Sequence, residues 1–224
     1  MTHHAETGRV LRTKEQARHS YDRMSSWYDL LAGGSEKRLK ETGLELLAVS
    51  QGERVLEIGF GTGQSILALA QSVGDTGAVY GLDISEGMRH VASQRVARAG
   101  LSGRVTLHCS DATALPFETN SFDAVFTSFT LELFDTPEIP LVLHECLRVL
   151  NSAGRICVVA MAQAGKPNFM TRAYEWAHLH FPNYVDCRPI LAGKALQQAG
   201  FRIGNTSTTW MWGLPVEVVL AIKP

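Results

Sequence analysis

Apolar positions along the first quarter of the chain recur at three- and four-residue steps. Ala17, Tyr21, Met24, Trp27, Tyr28 and Leu31 mark a helix over residues 13–31. Leu39, Gly43, Leu44, Leu46 and Leu47 mark a second over 36–49, and Gly33-Gly34 is expected to separate the two. From residue 53 the rhythm becomes strand–helix alternation. Short apolar runs fall at 54–58, 78–83, 104–108, 122–128 and 154–161, with helical stretches between them. Ser85 is a good N-cap for a helix running to about Ala99, and Pro137 and Pro140 open one that ends near Leu150. Such runs mark a parallel sheet covered by helices on both faces. A helix at 189–199 is followed directly by two strands, at about 201–211 and 215–222, which predicts an antiparallel hairpin. The expected fold is an α/β three-layer sandwich with a seven-stranded, mostly parallel, Rossmann-like sheet. Residues 1–50 form a helical segment covering the active site; residues 51–224 form the main domain, with a substrate-covering insertion at about 162–188.

Composition narrows the function. The chain has 224 residues, 45% of them apolar and 19% charged, with a formal charge of −1, so it is an ordinary globular protein without the basic field a nucleic-acid binder needs. No apolar run is long enough to span a bilayer, and the polar N-terminus has no secretory h-region. Cys109, Cys146, Cys157 and Cys187 form no CxxC pair, which favours reduced thiols in a cytoplasmic protein and no metal site.

The sharpest local pattern is Val55-Leu56-Glu57-Ile58-Gly59-Phe60-Gly61-Thr62-Gly63, a strand, a glycine turn and a helix start. Glycines let the backbone approach a ligand, and the helix start offers unpaired N–H groups. A dinucleotide fingerprint would need its third glycine one position later. Glu57, near the end of its strand, would repel a pyrophosphate and attract an ammonium. Asp83 ends the second strand, where a carboxylate can accept both hydroxyls of a ribose. Asp111 follows the third strand and is placed to accept from an adenine amino group. An ammonium, a ribose and an aminopurine together describe S-adenosylmethionine.

On these residues the sequence resembles the class I S-adenosylmethionine-dependent methyltransferases. The likeness runs over about residues 53–161 and includes Leu82-Asp83-Ile84-Ser85, Ser110–Phe117, Ser121–Ser128 and Leu147-Arg148-Val149-Leu150. Within the class it is most similar to the ubiquinone/menaquinone C-methyltransferases, whose N-terminal segment Tyr21-Asp22-Arg23-Met24-Ser25-Ser26-Trp27-Tyr28-Asp29 resembles. The resemblance implies that Glu57, Gly59, Phe60, Gly61 and Gly63 hold the methionine part of the cofactor. Asp83 would hold the ribose, and Ile84 and Met88 would flank the adenine, whose edge Asp111 and Ala112 read. Thr127 and Ser128 would line the cleft near the methyl group, and Tyr21 and Tyr28 would close over the cofactor. The sequence departs from the quinone enzymes after the fourth strand, where Phe129-Thr130-Leu131-Glu132-Leu133-Phe134 replaces their arginine–asparagine pair. It also has Leu30-Leu31-Ala32-Gly33 where they carry an asparagine.

The expected reaction is methyl transfer to a small-molecule or lipid-like acceptor, with quinol-like C-methylation favoured. His178 and His180 are the general-base candidates by residue type, with Tyr174 beside them. Trp27, Leu30 and Leu31 are positions that could touch a membrane surface. The alternatives are N-methylation of an ethanolamine-type headgroup or other amine, a cofactor-binding module without turnover, and a nicotinamide-dependent oxidoreductase.

Overall fold

The computed structural model describes Val10 and residues 13–25, 28–163 and 188–224; for residues 28–33 and 35 only the backbone is described. Two helices open the chain, α1 (Lys14–Met24) and α2 (Tyr28–Leu47). Then follow β1 (Arg54–Ile58), α3 (Gln64–Ser72), β2 (Ala78–Asp83), α4 (Glu86–Arg98), β3 (Val105–Cys109) and β4 (Phe122–Ser128). A 3-10 turn at Leu131–Leu133 leads to α5 (Ile139–Val149) and β5 (Leu150–Met161). After the undescribed stretch come α6 (Ala192–Gln198), β6 (Arg202–Met211) and β7 (Leu214–Ile222). The seven strands form one sheet in the order β3-β2-β1-β4-β5-β7-β6. β1 to β5 pair in parallel; β7 is antiparallel to β5, and β6 to β7.

Both faces of the central strands β1, β4, β5 and β7 are largely buried, as their apolar runs required, while the edge strand β6 is mostly exposed. Along β5, Ile156, Val158 and Ala160 join Val142, Leu143 and Leu196 in one cluster under α5 and α6. The alternate residues Cys157, Val159 and Met161 join Leu39, Leu47, Ile66 and Ala92 in the other, under α2, α3 and α4. In β1 the same alternation puts Val55 in the second cluster and Leu56 and Ile58 in the first. Glu57 therefore stands on the α2–α3–α4 side.

The expected break at Gly33-Gly34 does not occur. α2 runs through both glycines, and the chain leaves α1 at Ser25 instead. A glycine inside a helix costs about 1 kcal/mol, which packing elsewhere on the same helix readily exceeds. Leu39, Gly43 and Leu47 form a buried stripe at four-residue steps. At Gly43 a Cβ would lie 2.5 Å from Val159 Cγ2 and 3.0 Å from Phe126 Cε2, so only glycine lets α2 lie this close to β4 and β5. The C-terminal end of α2 is clamped by Arg155. Its Nε donates to Leu47 O at 2.6 Å and its Nη2 to Ala48 O at 2.9 Å, satisfying orphan helix carbonyls. The same guanidinium holds Glu53 in a two-pronged pair at 2.9 and 2.8 Å.

Candidate functional site

A cavity opens at the C-terminal edge of the parallel strands, where open α/β sheets bind ligands. Its floor is Glu57 to Thr62 with Gln64 and Ser65; Asp83, Ile84, Met88 and Asp111 form one side, and Ser128, Phe129 and Thr130 another. Val10, Thr13, Lys14, Ala17 and Tyr21 come from the N-terminal arm, and Glu36 and Lys40 from α2. Six carboxyl groups line it (Glu36, Glu57, Asp83, Asp111, Asp135, Glu138) against two lysines, Lys14 and Lys40. That balance favours a ligand with positive charge and disfavours a pyrophosphate.

The glycine turn divides its labour. Gly59, Gly61 and Gly63 all have positive φ, at 74°, 51° and 82°. At Gly59 a Cβ would collide with the Thr130 side chain, and at Gly63 it would lie 2.9 Å from Ala92 Cβ. These two close the protein on itself, the latter packing the start of α3 against α4. At Gly61 nothing lies within 4 Å of the added atom, and this residue lines the cavity. Its free face is open for close backbone approach by a ligand.

Glu57 is only 1% exposed, and its Oε2 has no hydrogen-bond partner among the described residues. Burial pushes its carboxyl up to about 8; the Lys40 charge and a Ser65 hydrogen bond pull the other way. A buried acceptor without a donor, facing a cavity, is a group waiting for a ligand donor. Asp83 is held from behind. Its Oδ2 accepts from the Gly61 amide at 2.9 Å and its Oδ1 from the Ser85 amide at 3.0 Å. Burial raises its pKa, opposed by those amides. Asp111 accepts from Thr113 N–H at 2.9 Å and is ion-paired to Lys14, which also reaches Glu138 at 2.6 Å. Burial alone would raise the Asp111 pKa, but the Lys14 and Thr113 contacts outweigh it and the net shift is downward.

Of the residues singled out from the sequence, Tyr21, Glu57, Gly59, Phe60, Gly61, Asp83, Ile84, Met88, Asp111 and Ser128 line this cavity. Gly63, Ala112 and Thr127 do not appear in its wall. Ala112 is buried in the cluster under α5 and α6, and Thr127 by strand alternation faces that same side. The side chain of Tyr28 and all of Tyr174, His178 and His180 lie outside the described residues, as do Trp27 and Cys187. Glu132 is fully buried and accepts from the Met161 amide at 3.0 Å, tying the loop after β4 to the end of β5. Asp22, part of the N-terminal motif, serves α4. Its Oδ1 accepts from Ser85 Oγ at 2.5 Å and from the Gly87 amide at 2.9 Å, fastening α1 to the helix behind Asp83. Sequence reasoning missed Lys14, Glu36, Lys40 and Glu138. Their signal was the four-residue Glu36–Lys40 spacing, but periodicity does not tell which face of α2 meets the sheet.

Residues 55–154 match the family model described as a methyltransferase domain. Over that stretch the chain is a methyltransferase domain. It is 37% identical over 155 residues to a ubiquinone/menaquinone biosynthesis C-methyltransferase UbiE from Pseudomonas fluorescens, an alignment covering 69% of this chain and 58% of that protein. The chain thus matches somewhat over half the length of such curated relatives. Among solved structures, a [4+2]-cyclase, SpnF, superposes with a TM-score of 0.76 at 23% identity, over 97% of this chain and 99% of that one. An S-adenosylmethionine-dependent methyltransferase from Aquifex aeolicus gives 0.66 at 24% identity, over 89% and 98%. At those identities the likeness is one of fold. The family's cofactor is S-adenosylmethionine, and the residues present fit it. Glu57 offers a buried carboxyl oxygen, Oε2, without a partner among the described residues to its ammonium, Gly61 an open backbone, Asp83 a braced carboxylate at the end of β2, and the acidic wall suits a sulfonium.

Proposed function

We propose that this protein transfers a methyl group from S-adenosylmethionine to a ring carbon of a quinol-type acceptor. The observation that carries the cofactor half is the buried Glu57 carboxyl, with its Oε2 unpartnered among the described residues, in an acid-lined cavity at the strand ends. The acceptor half is supported by the similarity to the UbiE group. When bound, the cofactor supplies an electrophilic methyl carbon on a positively charged sulfur. The protein's own work is to bind, align and move protons. Glu57 holds the amino-acid end, Asp83 the ribose and Asp111 the adenine edge. Tyr21, with Tyr28, covers the cofactor from the N-terminal segment. Ser128, Phe129 and Thr130 form the wall on the acceptor side. His178 or His180 takes the proton from the acceptor hydroxyl, so that the ring carbon can attack. The methylated carbon then gives up its own proton as the ring regains aromaticity and the oxygen is reprotonated. Tyr174 orients the acceptor hydroxyl.

Such an acceptor dissolves in membranes, and we read the protein as a peripheral visitor acting from the cytoplasm. Among the described residues no helix is long and apolar enough to cross a membrane. The β6–β7 hairpin carries no charged residue from Ile203 to Val216 and exposes Trp210 and Trp212, at 62% and 61%. Trp210 pairs with Pro215 at the end of the sheet where β5 also finishes, the edge that bears the cavity.

The test is turnover with methyl-labelled cofactor and a demethylated quinol, followed by mass spectrometry of the extracted product. The expected result is one methyl on the ring carbon. Label on an oxygen, or on the nitrogen of an ethanolamine headgroup supplied in parallel, would replace this reading. Cofactor binding without transfer to any acceptor would leave a binding module.

A further inference from the structure

The six acids and two lysines of the cavity are not evenly arranged. Lys14 is committed at one end, between Asp111 and Glu138. Lys40 lines the same cavity with Glu36, and its charge acts on Glu57. Its Nζ lies 2.9 Å from Glu36 Oε2, and the two side chains are only 20% and 13% exposed. Exposed i,i+4 pairs are interchangeable decorations of a helix; this one is largely shielded and turned into a ligand cavity. The sheet contact one turn later at Gly43 fixes the backbone that carries Lys40. Its charge reaches Glu57, whose ionisation it favours.

An α-amino acid presents an ammonium and a carboxylate on one carbon. Glu57 can answer only the first. An ammonium has three donors, and Glu36 occupies one of them. We propose that Lys40 is a specificity residue of the cofactor site: its ammonium receives the methionine α-carboxylate while Glu57 receives the α-ammonium, and Glu36 holds the lysine in register. This rests on the reading of the cavity as an S-adenosylmethionine site. The competing receiver for the same carboxylate is the start of α3, whose first residues Gln64 and Ser65 also line the cavity.

The two are separated by titrating the full chain, K40M and K40R with S-adenosylmethionine and with its decarboxylated analogue. Methionine keeps the packing of the lysine stem while deleting the charge. The unmodified protein is expected to prefer the carboxylated ligand. K40M should weaken that ligand by about tenfold to a hundredfold, the worth of a charge-assisted hydrogen bond. It should leave the analogue unchanged or tighter, since a like charge has been removed from beside it. K40R should restore most of the preference. Equal weakening of both ligands by K40M, or no weakening of either, would overturn the assignment and leave the carboxylate to α3. Failure of the unmodified protein to bind either ligand would instead overturn the cofactor reading beneath it.

Discussion

At the residue scale the site is governed by where single carboxylates end up. Glu57, Asp83 and Asp111 were legible in the sequence because each follows from its place near the C-terminal end of a strand, and strands are visible as apolar runs. What surrounds them was not. Nothing in the local pattern announces that Lys14 bridges Asp111 and Glu138, because that contact spans 97 residues of chain. Nor does it show that Thr127 and Ser128, adjacent in sequence, part company across the sheet. The buried Glu57 makes a direct prediction for the ligand-free protein. Its carboxyl ordinarily titrates near 4.5 and is pushed to about 8 in the fold. The unfolded chain gives up this proton first, so rising pH favours unfolding across that window. The stabilising contribution is whole below 4.5 and gone above about 8. Replacing Glu57 by Gln should flatten this part of the pH–stability curve in thermal unfolding, while weakening S-adenosylmethionine at least tenfold by removing a charge-assisted bond. An unchanged pH profile in E57Q would show that another group is responsible.

At the scale of elements, α2 is the part the sequence misled on. The pair Gly33-Gly34 reads as a break, yet the helix continues, because a helix is decided by what its buried stripe meets and not by its weakest residue. Most strands and the helices between them were legible within a residue or two, since their apolar runs and caps are local; β5 instead begins at Leu150, four residues before the expected start, and α6 at Ala192, three after it. Two glycines of α2 now make opposite predictions. Around Gly34 a new Cβ would meet nothing within 4 Å, so Gly34→Ala should stabilise the protein by about 0.5–1 kcal/mol through helix propensity. At Gly43 the same change meets Val159 and Phe126, and overpacking of about 1–3 kcal/mol outweighs that gain. Gly43→Ala should therefore lower the thermal midpoint and, by lifting α2 and with it Lys40, weaken the cofactor. Equal midpoints for the two variants would mean that α2 does not lie on the sheet as described.

At the scale of the whole molecule, the arrangement is a rigid sheet with a ligand site assembled from its strand ends and roofed by α1 and α2. Asp22 fastens the roof to α4, Arg155 fastens it to β5, and Gly43 sets its height. The class of fold and the cofactor were readable because both are written in the strand-end motifs. The acceptor was not, since residues that choose it need only be near one another in space. The central claim is that this cavity is built for S-adenosylmethionine. Calorimetric titration of the purified full chain with S-adenosylmethionine, S-adenosylhomocysteine and a nicotinamide dinucleotide tests it most directly. The account predicts micromolar, one-to-one binding of the first two and no heat from the third. Dinucleotide binding with no response to either sulfur ligand would contradict it and leave only the fold standing.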